Sequence, residues 1–244
     1  MTINLDEVDS TNEYLKRLVA DGWNSDDITV VSAQFQTAGK GRRGRQWVTE
    51  PGTALTFSVL LKPKMDLSDC SMLTLVMAMA VRRALEDIDV NTKIKWPNDI
   101  VIGGKKVCGI LTEAIAETGH IIIGCGVNTN QESFPEELMD RSTSVLIETN
   151  DCVDHSSLLD SIIYHLEKLI DTFMETGDFT NLKNEYEEAL VSMDDEVTVL
   201  DPEGEYKGVC LGINERGELM VKHNEEVTCV YAGEVSVRGV YGYV

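Results

Sequence analysis

Strand-length and helix-length apolar patterns alternate up to about residue 192, beyond Met193 only short strands remain, and this break limits the possible folds more than any other feature. Glu196 to Leu200, Tyr206 to Ile213, Leu219 to His223 and Val227 to Tyr231 read as strands. Asp201-Pro202-Glu203-Gly204, Asn214-Glu215-Arg216-Gly217 and Asn224-Glu225-Glu226 separate them. Turn clusters at that spacing predict a small all-β barrel. A domain boundary near residue 192 follows, with residues 1–192 forming the larger unit and 193–244 the smaller.

In the larger unit a short N-terminal strand leads to Ser10 or Thr11, either of which can cap a helix whose apolar face is Leu15, Leu18 and Val19 and whose stop is Gly22. Ile28 to Gln34 and Ala54 to Leu61 read as buried strands, Met72 to Glu86 as a core helix, and Lys93 to Trp96 as a strand ended by Pro97. Gly103-Gly104 supplies the positive φ angles of a tight turn between Ile100 to Ile102 and Lys106 to Ala116, and Ile121 to Val127 adds a further strand. From Ser156, Leu159, Ile162, Ile163, Leu166, Ile170 and Phe173 mark one face of a helix that stops at Gly177; Phe179 to Leu190 continues as another. The predicted class is α+β, with a mixed sheet and helices followed by the small β unit.

Twenty-one basic against 42 acidic side chains give a formal charge of -21, which repels nucleic acid and anionic lipid unless a local basic cluster overrides it. A salt-rich cytoplasm and simple acidic solubility explain the excess equally well. The six cysteines are scattered, without a Cys-x-x-Cys pair or a His at finger spacing, so they read as free thiols in a reducing cytosol and no metal site is expected. Asp6, Glu7 and Asp9 stand where a secretory signal carries positive charge, and Met72 to Leu85 is broken by Arg82 and Arg83. That stretch is well short of the roughly 20 residues of a membrane span.

Three segments carry chemistry. Gln36-Thr37-Ala38-Gly39-Lys40-Gly41-Arg42-Arg43-Gly44-Arg45-Gln46-Trp47 sets four cations and three glycines between two strands, with no acid. Glycines let backbone N–H groups approach a ligand and guanidinium forks bind carboxylate or phosphate, so this is either an anion site or a solvated basic loop. It is no P-loop, because Gly-Lys-Ser or Gly-Lys-Thr is missing. In Lys95-Trp96-Pro97-Asn98-Asp99, Pro97 fixes the chain direction and Asn98 and Asp99 offer a turn and polar ligands. Lys106 then starts the returning strand and aims back at that turn, although Trp96 alone reads as core and Lys105-Lys106 as a hairpin tip. Gly124-Cys125-Gly126-Val127-Asn128 ends an apolar strand in small residues and an amide, which suits an adenine edge or a plain strand-end turn.

Taken in order, Asp9-Ser10-Thr11-Asn12, Gln36 to Trp47, Lys95 to Asp99, Lys106 to Leu111 and Gly124 to Asn128 resemble the biotin–protein ligases across most of residues 1–190. The resemblance implies a catalytic domain of the class II aminoacyl-tRNA synthetase and biotin ligase type, with an SH3-like barrel after it. It also implies that Ser10, Thr11 and Gln36 hydrogen-bond the biotin head group, with Gly39, Gly109 and Leu111 lining its pocket. Arg42 and Arg43 belong to the loop that closes over biotinyl-adenylate, Arg42 meeting carboxylate and phosphate. Trp47 packs near the adenine or steadies the closed loop, Asn98 and Asn128 serve the nucleotide, and Lys106 sits against the reacting carboxylate and α-phosphate. The family loop commonly begins Gly-Arg-Gly; here Lys40 replaces the first arginine, keeping the charge and losing the fork.

The implied reaction joins biotin to ATP as biotinyl-adenylate and then moves biotin to a lysine of a biotin carboxyl carrier domain. Magnesium accompanies ATP, held through phosphate oxygens and water rather than a protein cage. Lys106 and Arg42 are the expected catalytic cations, and the loop is expected to be disordered until ligand arrives. Relatives that double as repressors carry a helix-turn-helix ahead of the catalytic domain. Here the Asp9 motif starts almost at once, so the type without that domain, acting on no nucleic acid or membrane in the cytoplasm, is expected. Homodimers are common among relatives. The rivals are a lipoate ligase or octanoyltransferase of the same fold and a biotin-binding regulator that transfers nothing.

Overall fold

Ala54 to Leu61 carries no charge, and in the computed structural model it is buried from end to end as strand β3, because both faces of its sheet are covered. The structure describes residues 1–25, 27–201, 204–232 and 236–239. Before β3 come β1 (Thr2–Val8), α1 (Thr11–Ala20) and β2 (Thr29–Gln36). After it follow α2 (Ser71–Glu86), β4 (Lys93–Lys95), β5 (Asp99–Ile102), β6 (Lys105–Ile115), β7 (His120–Asn128), α3 (Val145–Thr149), α4 (His155–Thr176) and α5 (Lys183–Ala189). The first seven strands form one sheet in the order β1-β2-β3-β7-β6-β5-β4. Only β1 and β2 run parallel; the other neighbours are antiparallel, so the sheet is mixed.

Period-two alternation splits the sheet into two chemical faces. Val31, Leu60 and Ile122 meet Leu15 and Val19 of α1 on one face. Phe57, Val59, Ile110 and Ile123 meet α2 on the other. The run from Met72 to Val81 is buried on every side, since α2 is sandwiched between the sheet and α4, which explains why its sequence shows no polar stripe. The longest helix, α4, begins one residue before the expected Ser156, with the Asp154 side chain accepting from Ser157 N–H at 2.8 Å and Gly177 closing it at φ 75°. Leu158 and Leu169 join its buried face, while Ile163 and Ile170 lie at the margin. Phe179 precedes α5 instead of starting it, and packs edge-on between Phe173 and Tyr186 at centroid distances of 6.0 and 5.8 Å.

The remaining strands are β8 (Glu196–Asp201), β9 (Gly204–Ile213), β10 (Leu219–His223), β11 (Glu226–Val230) and β12 (Ser236–Gly239), ordered β11-β10-β9-β8-β12 and antiparallel throughout. Periodicity missed β12, which is four residues long and pairs with β8 across 35 intervening positions. The Pro202-Glu203 turn lies outside the described residues. Val197, Val199, Cys210, Leu219 and Val221 share one apolar cluster with α2, and the buried Trp96 indole donates to Gly217 O at 3.0 Å. Trp96 is therefore core, and it fastens the small sheet behind the Trp96-Pro97-Asn98 turn. All six cysteines are unpaired, and no described helix is long and apolar enough to cross a membrane.

Candidate functional site

The glycine-rich segment leaves β2 and folds back on itself rather than running loose. Lys40 and Gln46 form an antiparallel bridge, Trp47 N–H donates to Gly39 O at 2.9 Å, and Gly41 N–H donates to Arg45 O at 2.8 Å. At the tip a single 3-10 turn spans Arg42–Gly44, with Arg43 at φ 58° and Gly44 at φ 72°. Gly39 is required at the base, because a Cβ there would stand 2.4 Å from the Trp47 carbonyl oxygen. Lys40 ion-pairs with Glu13 of α1 at 2.7 Å, so the lysine that replaces the usual arginine anchors the loop to a helix.

Arg42 points inward from this loop. Its guanidinium donates to Asn98 Oδ1 at 2.7 Å and to Ala232 O at 2.6 Å, linking the loop to the β4–β5 turn and to the small sheet. Asn98 is oriented to accept because its own amide donates to Ile110 O and Asp99 Oδ1, each at 3.1 Å. Burial, with Arg43 and Arg45 close by, draws the Arg42 pKa below the ordinary guanidinium value while Asp99 pulls it back.

Lys106 arrives from the other side. The pairing of β5 with β6 slips between Ile100 and Val101, so Ile100 faces Cys108 whereas Val101 faces Lys106. A bulge of this kind turns a side chain out of the regular alternation. Backbone bonds to Arg141 O at 2.7 Å and from Thr143 N–H at 2.9 Å pin the bulge. The Lys106 ammonium then lies 2.6 Å from Asp99 and 5.8 Å from the centre of the Trp47 ring. Lys105 instead donates to Met139 O at the surface.

Between these cations and the start of α1 lies an open cavity of about 460 Å³. Its floor is glycine. Gly109 pairs with Gly126 across β6 and β7, and Gly124 stands two residues along on the same face, about 7 Å away. A Cβ on Gly126 would meet the Trp47 indole at 2.4 Å, and one on Gly124 would meet Asn12 Oδ1 at 2.3 Å. The indole thus lies flat on the floor at the cationic end, its N–H buried without a protein partner. We expect Gly126→Ala to lift the ring, which as overpacking costs about 1–3 kcal/mol. Its readout is a tryptophan emission shift relative to wild type that disappears when Trp47 is also Phe; unchanged emission would mean that the ring does not rest on β7.

At the other end, Ser10 occupies the N-cap position of α1 without a capping bond from its hydroxyl, and the residue lines the cavity. Thr11 N–H donates to Gln36 Oε1 at 2.8 Å. Ser10, Thr11, Gln36, Arg42, Trp47, Asn98, Lys106, Gly109 and Leu111 are therefore gathered around one space. Three expected members are not. Gly39 is the base of the loop and Arg43 its exposed tip. Asn128 stands outside the cavity lining, where its amide donates to Thr143 O at 3.1 Å and accepts from Gln131 at 3.0 Å. Sequence reasoning assigned no role to Asn12, which lines the cavity, or to Ser58 and Glu113, which hold it from behind. Asn12 was inside a quoted motif, and Glu113 lies in period two with Gly109 and Leu111, but nothing local links Ser58 to either.

The Biotin/lipoate A/B protein ligase family matches residues 5–128 of the chain. The bifunctional ligase/repressor BirA of Bacillus subtilis is 35% identical over 88% of this chain and 67% of that protein. The biotin–[acetyl-CoA-carboxylase] ligase of Paracoccus denitrificans is 28% identical over 96% of this chain and the whole of its own length. Among solved structures, the biotin protein ligase of Aquifex aeolicus in complex with biotin and ATP superposes with a TM-score of 0.87 at 34% identity, covering 98% of both chains.

Proposed function

The chain belongs to the biotin/lipoate A/B protein ligase family, and we infer that within it this is a biotin–protein ligase that joins biotin to ATP and passes it to a carrier domain. The observation that carries this reading is a single cavity with a polar wall at Thr11 and Gln36, a flat glycine floor, and Lys106 and Arg42 at its far end. Biotin has the same order of parts: a polar ureido ring, an apolar chain and a carboxylate. Enclosed cations at the carboxylate end are what an acyl-phosphate chemistry needs.

In the first step a biotin carboxylate oxygen bonds to the α-phosphorus of ATP and the bond to the β-phosphate oxygen breaks, releasing pyrophosphate. Two anions must approach, so fixed positive charge lowers the barrier. Lys106 suits that place because Asp99 already holds its ammonium, and Arg42 suits the phosphate because its fork is braced by Asn98. In the second step the acceptor amine attacks the acyl carbon, loses a proton and displaces AMP. Trp47 and the loop above it keep water from the adenylate meanwhile. Magnesium comes with the nucleotide, carried mainly by phosphate oxygens and water.

The acceptor is a biotin carboxyl carrier domain, as for the ligases it resembles. We assign catalysis to residues 1–192 and an SH3-like role to 193–244, supported by the break into two sheets. Unpaired thiols and the charge of -21 support a cytosolic setting away from nucleic acid. The test is pyrophosphate release by the purified chain with Mg-ATP and either biotin or lipoate, followed by mass analysis of an added carrier domain. Biotin-dependent release with one biotin on the carrier is expected; release with lipoate alone would move the chain to the other branch of the family.

A further inference from the structure

We propose that Glu113 and Ser58 are positioning residues that set the polarity of the head-group wall, so that it receives N–H donors and rejects ligands lacking them. Neither residue reaches the reacting atoms, and the proposal rests on the biotin reading above. Glu113, on β6, accepts from Asn12 Nδ2 at 2.7 Å through one oxygen and from Lys16 at 2.7 Å through the other. Ser58 Oγ, fully buried in the middle of β3, lies 2.6 Å from both Asn12 Oδ1 and Thr11 Oγ1. Thr11 Oγ1 in turn lies 3.1 Å from Gln36 Oε1.

Counting protons orders this row. The carboxylate forces the Asn12 amide to turn N–H toward Glu113, because the opposite orientation would set two acceptors 2.7 Å apart. Asn12 Oδ1 then faces Ser58 and can only accept, so the single Ser58 proton goes there. The other 2.6 Å contact still needs a proton, and only the Thr11 hydroxyl can supply it. Were Thr11 to donate to Gln36 instead, two bare oxygens would stand 2.6 Å apart, a worse contact than two at 3.1 Å. Thr11 Oγ1 and Gln36 Oε1 are thereby left side by side on the cavity wall as acceptors with no proton between them. The Gln36 amide cannot turn over, since its oxygen holds Thr11 N–H. A ureido N–H completes this pair; the dithiolane or alkyl end of a lipoyl or octanoyl chain has no proton to give.

Glu113→Gln keeps the shape and lets the row run backwards: the new amide donates to Asn12, Asn12 to Ser58, Ser58 to Thr11, and the Thr11 proton turns toward Gln36 or the ligand. The expected result is a KM for biotin raised about tenfold, on the scale of one mispaired buried hydrogen bond, with kcat at saturating biotin within about twofold. Biotin methylated on its ureido nitrogens should lose less affinity in this variant than in wild type. Ser58→Ala, which frees the Thr11 proton for Gln36, should give the same KM-selective change and carries the test if Glu113→Gln does not fold. Wild-type KM in both variants, or a fall in kcat as large as the rise in KM on fully folded protein, would overturn the proposal. Dependence on lipoate in the unmodified chain would instead remove the biotin reading itself.

Discussion

Replacing Lys106 by alanine is expected to slow adenylate formation by about a hundred- to a thousandfold, the usual cost of deleting one preorganised charge aimed at a developing anion. The effect is large here for a second reason. Lys106 neutralises Asp99 at 2.6 Å, and its loss leaves that largely buried carboxylate without its ammonium beside the space proposed for the biotin carboxylate and α-phosphate. Adding Asp99→Asn to Lys106→Ala should therefore recover part of the rate, whereas Asp99→Asn alone should lower it by loosening the ammonium. Single-turnover pyrophosphate release on protein with a normal thermal midpoint reads both effects. Near wild-type turnover of Lys106→Ala would take the lysine out of the mechanism.

Loss of Arg42 should act later, on retention of the intermediate. Its guanidinium makes charge-assisted bonds to Asn98 at 2.7 Å and Ala232 at 2.6 Å that close the loop onto the β4–β5 turn and the small sheet. Such bonds are worth about 1.5–3 kcal/mol. Losing one alone corresponds to roughly ten- to a hundredfold faster escape of biotinyl-adenylate from Arg42→Ala. Free adenylate acylates lysines at large, so mass analysis of a bystander protein should show biotin at many sites while transfer to the carrier domain becomes less efficient. Adenylate lifetimes equal to wild type would show that the loop stays closed without this residue.

Much of the site was legible because its clues are local. Three glycines among four cations in an acidic chain mark a loop suited to an anion wherever it falls, and the tip does adopt positive φ values, at Arg43 and Gly44. Gly103 and Gly104 form the expected hairpin turn at φ 56° and 81°. Lys106 was read as starting the returning strand and aiming back at the turn, and the bulge with the backbone bonds to Arg141 and Thr143 gives the physical cause of that aim. Ser58 illustrates the opposite case: nothing in its own strand marks it, and only the sheet sets its hydroxyl 2.6 Å from Asn12 and Thr11.

Periodicity and turn chemistry are properties of residues near one another in the chain, and from these the sequence alone determined the α+β order and the change of pattern near residue 192. Tertiary structure decided which polar groups meet. Ser58 is 47 positions from Thr11, and Asn12 is 101 from Glu113, so their bonds exist only through the register that sets β3 and β6 on either side of β7. Arg42 and Ala232, 190 positions apart, meet only because the small sheet packs behind the Trp96 turn. The direction of a proton along such a row depends on every group in it at once, and no stretch of sequence contains them all.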